Sequence, residues 1–289
     1  MKSKVYFSRE ISPQKLVEHF NNLGREPKGR VAIKISTGEP GGHNFLQPSL
    51  IGELAQKLNG TIVECNTAYE GRRFNSEEHL KAAEEHGFTA IAPVEIMDSE
   101  GDVELPVVGG RHLKFDIVGK GFLNYDFTLI LSHFKGHQMG GFGGAIKNMA
   151  IGIASSAGKA WIHSAGRVRK IDWDDLPEQD HFLESMAEAA KAIADHCKEN
   201  IAYINVANRL SVDCDCNSNP EEPKMGDIGI LSSLDPVALD RASTDLVRQS
   251  DDPGKVHLIK RIDSRHGMHT LDWAESLGLG SQQYELIEI

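Results

Sequence analysis

The chain is poor in the features that usually disclose a function. Only four of its 289 residues are cysteine, too few for the disulfide framework of a secreted scaffold. Aromatic residues make up 7%, and none interleave with a basic stripe of the kind that tracks a nucleic-acid backbone. No apolar run approaches the roughly 18 residues that span a bilayer. The opening Met1-Lys2-Ser3-Lys4-Val5-Tyr6-Phe7 lacks the apolar stretch of a secretory signal. Basic residues are also short, 31 against 42 acidic, for a net charge of -11, which argues against a general affinity for nucleic acid or anionic membrane. The expectation is a cytoplasmic protein with neither nucleic acid nor membrane among its partners.

What is present is ordinary globular material, 40% hydrophobic and 25% charged, arranged as alternating strands and helices. Val31–Ile35 reads as a strand followed by the Gly-rich Gly38–Asn44, and Pro48 opens a helix carrying Leu50, Ile51, Leu54 and Leu58. Thr61–Cys65 is a second strand and Ser76–Gly87 a second helix, a βαβα beginning for which parallel pairing is the economical expectation. Val103–Val108 and Leu113–Val118 suit a hairpin about Gly109-Gly110. Ala145–Ala154 predicts a short buried helix and Asp180–Glu199 a long amphipathic one, with Trp161–Glu178 the most loop-like stretch between them. Asp235 before Pro236 predicts a capped helix start, and Tyr284–Ile289 a terminal strand. The fold class expected is α/β, a mixed, mostly parallel sheet with helices on both faces. It forms one domain over residues 1–289, with two lobes (about 1–125 and 126–289) as the alternative division.

Two segments carry chemistry. The first, Ser132 to Asn148, follows the buried run Phe127–Leu131 and packs His133, Lys135, His137, Lys147 and a glycine cluster into one turn, at the strand end where open α/β sheets place ligands. His133 and His137 are each candidates for metal ligation, and His137 for proton transfer. Lys135 between them is a candidate catalytic residue, made less basic by burial or neighbouring cations. Gly140, Gly141, Gly143 and Gly144 let backbone N–H groups converge ahead of a helix start, so that with Lys147 and Asn148 they predict an anion site. It is neither a Walker loop nor G-x-G-x-x-G.

The second segment is Asp213-Cys214-Asp215-Cys216. Nearby carboxylates should raise both thiols by like-charge repulsion, which disfavours a free thiolate, whereas a bound cation would reverse that logic. Cys214, Cys216, His133 and His137 are therefore the candidate metal ligands, for iron, zinc or nickel, or for an iron–sulfur cluster. Cys65 and Cys197 read as small buried residues, and His163, His266 and His269 as structural or solvated ones.

The motifs Lys135-Gly136-His137, Gly140 to Asn148, Cys214-Asp215-Cys216, Asp227-Ile228-Gly229-Ile230 and Asp235 to Asp240, with Leu277 to Leu286, resemble in order and spacing the family catalogued as domain of unknown function 362. That resemblance implies a cytoplasmic α/β protein of a group in which many members carry a ferredoxin module. This chain lacks the module's C-x₂-C-x₂-C-x₃-C runs. The leading expectation is a metal- or iron–sulfur-associated protein performing redox or metal-assisted chemistry on a small anionic molecule, with a ferredoxin-like electron partner. The alternatives are a cofactor-dependent racemase or isomerase whose paired histidines move protons, and a non-enzymatic carrier that takes metal through exposed thiols.

Overall fold

A computed structural model describes residues 2–289. Its strands are β1 (Ser3–Ser8), β2 (Val31–Lys34), β3 (Thr61–Glu64), β4 (Val94–Ile96), β5 (Asp102–Pro106), β6 (Phe115–Gly119), β7 (Phe127–His133), β8 (Lys135–His137), β9 (Gly141–Gly143), β10 (Ile201–Ala207), β11 (Gly229–Ser233) and β12 (Tyr284–Glu288). Its helices are α1 (Pro13–Asn22), α2 (Pro48–Lys57), α3 (Ser76–Glu85), α4 (Ala145–Ile153), α5 (Ser156–His163), α6 (Gln179–Cys197), α7 (Pro236–Gln249), α8 (Lys255–Ser264) and α9 (His269–Ser276). The fold is α/β, as the alternation of strand and helix patterns predicts.

Eight strands form one sheet in the order β12-β1-β11-β10-β7-β2-β3-β4, and β5–β6 and β8–β9 are separate hairpins. Within the eight-stranded sheet all pairings are parallel except β10–β11 and β1–β11, and both hairpins are antiparallel. The central strands are apolar on both faces because both faces are covered. Leu129 and Leu131 of β7 and Ile204 and Val206 of β10 turn toward α1 and α2, while Ile130 and Tyr203 turn toward the layer of α4, α6 and α7. No helix among the described residues is long and apolar enough to cross a membrane.

The strand order fixes where a ligand can enter. From β2 the chain winds outward through β3 and β4, then returns on the other side of β2 as β7. Beyond the carboxyl ends of β2 and β7 the connections leave in opposite directions, and a crevice opens there. Asn148, on α4, straddles that point: its amide donates to Lys34 O, Leu131 O and Ser132 Oγ, each at 3.1 Å. One side chain thus anchors α4 across the two strands.

Local details depart from the sequence reading in several places. Helix α5 extends through Trp161–His163, because Ser155 caps its first turn by accepting from Gly158 N–H at 3.0 Å. The stretch expected to be loop therefore starts after His163. The Gly-rich turn holds a small hairpin, β8–β9, rather than an open loop. Helix α1 adds a capped element that the sequence reading does not include, with Ser12 accepting from Lys15 N–H.

The start of α4 differs most in consequence. Its first amides, Ala145 and Ile146, donate to the buried carboxylate of Asp240 at 2.7 and 3.0 Å, and Asn205 Nδ2 donates to the same group at 2.8 Å. Burial pushes the Asp240 carboxyl up to about 6 against those three donors. Gly144 makes this approach possible, since a Cβ there would lie 2.3 Å from Asp240 Oδ1. Asp240→Ala removes the shared acceptor of a helix start and a core asparagine. The expected cost is about 3 kcal/mol in urea unfolding, and an unchanged midpoint would show that the contact carries no stability.

Candidate functional site

A cleft of about 340 Å³ opens at the crevice between β2 and β7, lined by residues that follow β2, β3 and β7, by α4 and α5, and by Cys214 and Cys216. The cysteines arrive from more than sixty residues downstream of the β7 turn, and two contacts bring them in. Gly136 N–H donates to Ser211 O at 2.8 Å, and a Cβ on Gly136 would lie 2.3 Å from Val212 O. The bare backbone of β8 therefore lies directly on residues 211–213. Asp215 then turns inward, accepting from His133 Nδ1 at 2.9 Å and pairing with Lys135 Nζ at 3.1 Å. Burial opposes the ionised form, but His133 and Lys135 hold the Asp215 carboxyl below the ordinary range. With Asp215 pinned, its two neighbours line the cleft.

This arrangement reassigns three candidates. His133 is nearly inaccessible and has both nitrogens engaged, Nδ1 with Asp215 and Nε2 with Asn208 O at 2.7 Å. It orients Asp215 and offers no nitrogen to a metal. Lys135 is not made less basic; burial acts that way, but Asp215 and the Cys214 sulfur more than compensate and raise it. The cause is a carboxylate brought in from residue 215, invisible in the local sequence. The glycines 140, 141, 143 and 144 do not line the cleft, and the anion at the helix start behind them is the chain's own Asp240. Lys147 and Asn148 do line it.

His137, Cys214 and Cys216 come together, with one ligand atom of each within 4.8 Å of the others. Cys214 is pulled well below an ordinary thiol by a hydrogen bond from Cys216, against the opposing effect of burial, and further by Lys147, Lys135 and His137. Cys216, as the half-buried donor beside a negative sulfur, is pushed well up. Lys147 Nζ stands 3.7 Å from Cys214 Sγ. Like-charge repulsion from the flanking aspartates does not prevail, because Asp215 spends its charge on His133 and Lys135. The contact between the two sulfurs therefore favours the ionised form at Cys214 over Cys216.

The cleft also contains a histidine that the sequence reading set aside. His163, at the end of α5, lines it, stacked on Phe182 at 4.8 Å between ring centroids with the edge of Trp173 at 5.6 Å. Burial and the neighbouring His137 and Lys147 lower it to about 4. Its Nδ1 meets Lys159 O at 2.7 Å; a carbonyl only accepts, so Nδ1 carries the proton and Nε2 is bare. His137 is held the other way. Its Nδ1 accepts from Gly140 N–H at 2.8 Å and Met139 N–H at 3.3 Å, leaving the proton of the neutral ring on Nε2, near the Cys214 sulfur. Burial first, and Lys147 next, lower His137 as well, so both rings are neutral near pH 7.

The walls are cationic. Lys34 pairs with Glu64 at 2.9 Å, and Arg73 pairs with Glu39 at 2.9 Å and Glu64 at 3.5 Å. Lys159 Nζ reaches only the carbonyls of Ala154 and Cys65, and burial lowers it. Among the described residues Lys147 and Lys159 form no ion pair with a carboxylate: Lys147 stands beside the Cys214 sulfur and Lys159 donates to two backbone carbonyls. Cys65 also faces the cleft, as a thiol raised by burial, with Sγ 3.2 Å from Ile153 O.

The family described as "Domain of unknown function (DUF362)" matches residues 31–245. No curated protein matches the sequence. Among solved structures the chain is similar to the lactate racemase apoprotein from Thermoanaerobacterium thermosaccharolyticum, at 14% identity and a TM-score of 0.50 over 84% of this chain and 56% of that one. It is also similar to a structural-genomics protein from Thermotoga maritima, at 14% identity and a TM-score of 0.46 over 82% of this chain and 58% of that one. The chain thus spans a little over half the length of either, and at these identities the likeness to the racemase is one of fold.

The thiolate makes a direct prediction. Lys147→Met removes a cation 3.7 Å from Cys214 Sγ and should move the thiolate absorbance transition near 240 nm up by about one pH unit. A transition that does not move would mean that Lys147 leaves the sulfur's charge unaffected.

Proposed function

We propose, from the premise that this chain belongs to the DUF362 family, that it is an enzyme moving a proton on a small organic anion bound in the cleft, a racemase- or isomerase-like activity. The observation that carries this reading is the opposite protonation of the two cleft imidazoles. His163 offers a bare Nε2 and His137 an Nε2–H. One takes a proton from the substrate while the other returns one, and the substrate leaves with its composition unchanged. Lys147 and Lys159 would hold its carboxylate. The fold shared with a lactate racemase apoprotein supports small 2-hydroxy acids as the first substrates to test.

The thiols are the place for a metal ion. Cys214 and Cys216 fit a single thiophilic ion such as zinc, iron or nickel, whose charge would displace the second thiol's proton to solvent. Their chemistry suits an iron–sulfur cluster less well, since a cluster takes four thiolates and only these two adjoin. His137 as placed does not complete the set, because a ligating Nε2 would require a proton on the Nδ1 that now accepts two backbone N–H groups. When bound, the ion would supply positive charge beside the substrate. The burial of Cys214, 3% exposed at the cleft floor, supports an enzyme over a carrier, which must present its sulfurs to a partner.

The test is proton exchange. The full chain, as purified and after loading with Zn²⁺, Fe²⁺ or Ni²⁺, is incubated in D₂O with enantiopure 2-hydroxy acids, and C2 deuteration and loss of optical purity are followed by NMR and polarimetry. Exchange is expected, falling at least about 100-fold in His163→Asn and in His137→Asn. Because His163 serves as a base only when unprotonated, kcat/KM should stay level as pH falls from 7 and drop only as pH nears about 4. Absence of exchange with every acid and metal, or full activity in His163→Asn, would overturn the assignment.

A further inference from the structure

A second constellation of metal-binding side chains lies outside the cleft. Asp180 lies in the first turn of α6, His266 stands in the turn before α9, and His269 is the first residue of α9; one ligand atom of each lies within 4.8 Å of the others. His266 Nδ1 meets Asp180 Oδ1 at 2.7 Å. His269 Nε2 donates to Glu184 Oε1 at 3.0 Å, and Glu184 Oε2 receives His112 Nε2. The rings of His266 and His269 stack at 5.0 Å with planes 16° apart. None of these residues lines the cleft.

We infer that Asp180, His266 and His269 form a surface binding site for a divalent first-row transition-metal ion, zinc in the first instance. Two imidazoles and one carboxylate with open positions suit zinc, with water completing the coordination. The i, i+4 spacing of Asp180 and Glu184 puts both carboxylates on one face of α6, opposite the His266-x-x-His269 turn. Glu184 holds the proton on His269 Nε2, which leaves Nδ1 as the lone-pair donor and supplies the carboxylate–histidine contact that orients metal-ligating imidazoles. An ion here would replace the proton now shared by His266 and Asp180 and tie α6 to α9. Between them Gln179 Nε2 donates to Met139 O at 2.7 Å and Arg265 O at 2.8 Å. The ion would therefore brace the turn whose amides hold His137, while remaining separate from the cleft thiols.

The experiment silences the thiols and asks for a second ion. In the full-length Cys214→Ser/Cys216→Ser protein, ZnCl₂ binding is measured by calorimetry, with metal counted after equilibrium dialysis. One Zn²⁺ per chain is expected, with Kd of roughly 10 µM or tighter. His266→Ala/His269→Ala should weaken it at least about 100-fold and Glu184→Gln about tenfold, with unfolding midpoints in EDTA matching the parent. Should the double histidine variant fold poorly, Asp180→Asn decides, since it lies at the solvent edge of the same triad. Equal zinc binding in parent and ligand variants, or parental binding only at millimolar zinc, would overturn the site.

Discussion

A buried charge cluster sets the geometry of the cleft: Asp215 held between His133 and Lys135. An unpaired carboxylate at that depth would be costly, and a single partner would leave lone pairs unsatisfied. With both partners supplied from the end of β7 and from β8, the ionised form is favoured and the 213–216 turn is fixed against the sheet. Two consequences follow from side-chain alternation about one inward-facing residue. Cys214 and Cys216 reach the cleft, and the negative charge that would have opposed a thiolate is neutralised on the other side.

The same economy governs the helix start behind the Gly-rich turn. Converging N–H groups at the head of α4 attract an anion for the reasons that make helix N-termini phosphate sites. Here the anion is Asp240, from α7, which also receives the side chain of Asn205 on β10. A site that would otherwise draw an external ligand has become a joint between α4, α7 and the sheet. Lys147 and Lys159 line the cleft instead, neither of them paired with a carboxylate.

Histidine tautomers give the site its directionality. His137 and His163 are both neutral, yet backbone groups hold them oppositely: two amides donate to one ring and a carbonyl accepts from the other. Neither setting depends on another titratable side chain, which is what the proposed acid and base roles would require. Burial lowers both rings, and Lys147, 3.7 Å from Cys214 Sγ, lowers His137 further.

Much of this was legible in the sequence where physics is local. Apolar runs of strand length separated by helical periodicity determine an α/β chain, Asp235 caps the helix it precedes, and the motifs of residues 135–148 and 214–216 mark the segments that carry chemistry. The exchange of roles among histidines was not legible. His133 and His163 differ in no local property of the sequence that separates a buried strut from a ring lining the cleft. What separates them is which acceptors lie nearby, and those come from Asp215 and Asn208 for one and from the α5 backbone for the other. Lys135 shows the same limit, since the sign of its shift was set by Asp215, eighty residues away in sequence. The sequence by itself determined the strands, the helices and the residue types available; only the tertiary structure decided which charges meet, because electrostatic energy depends on separation in space and on burial, and both are created when the sheet closes.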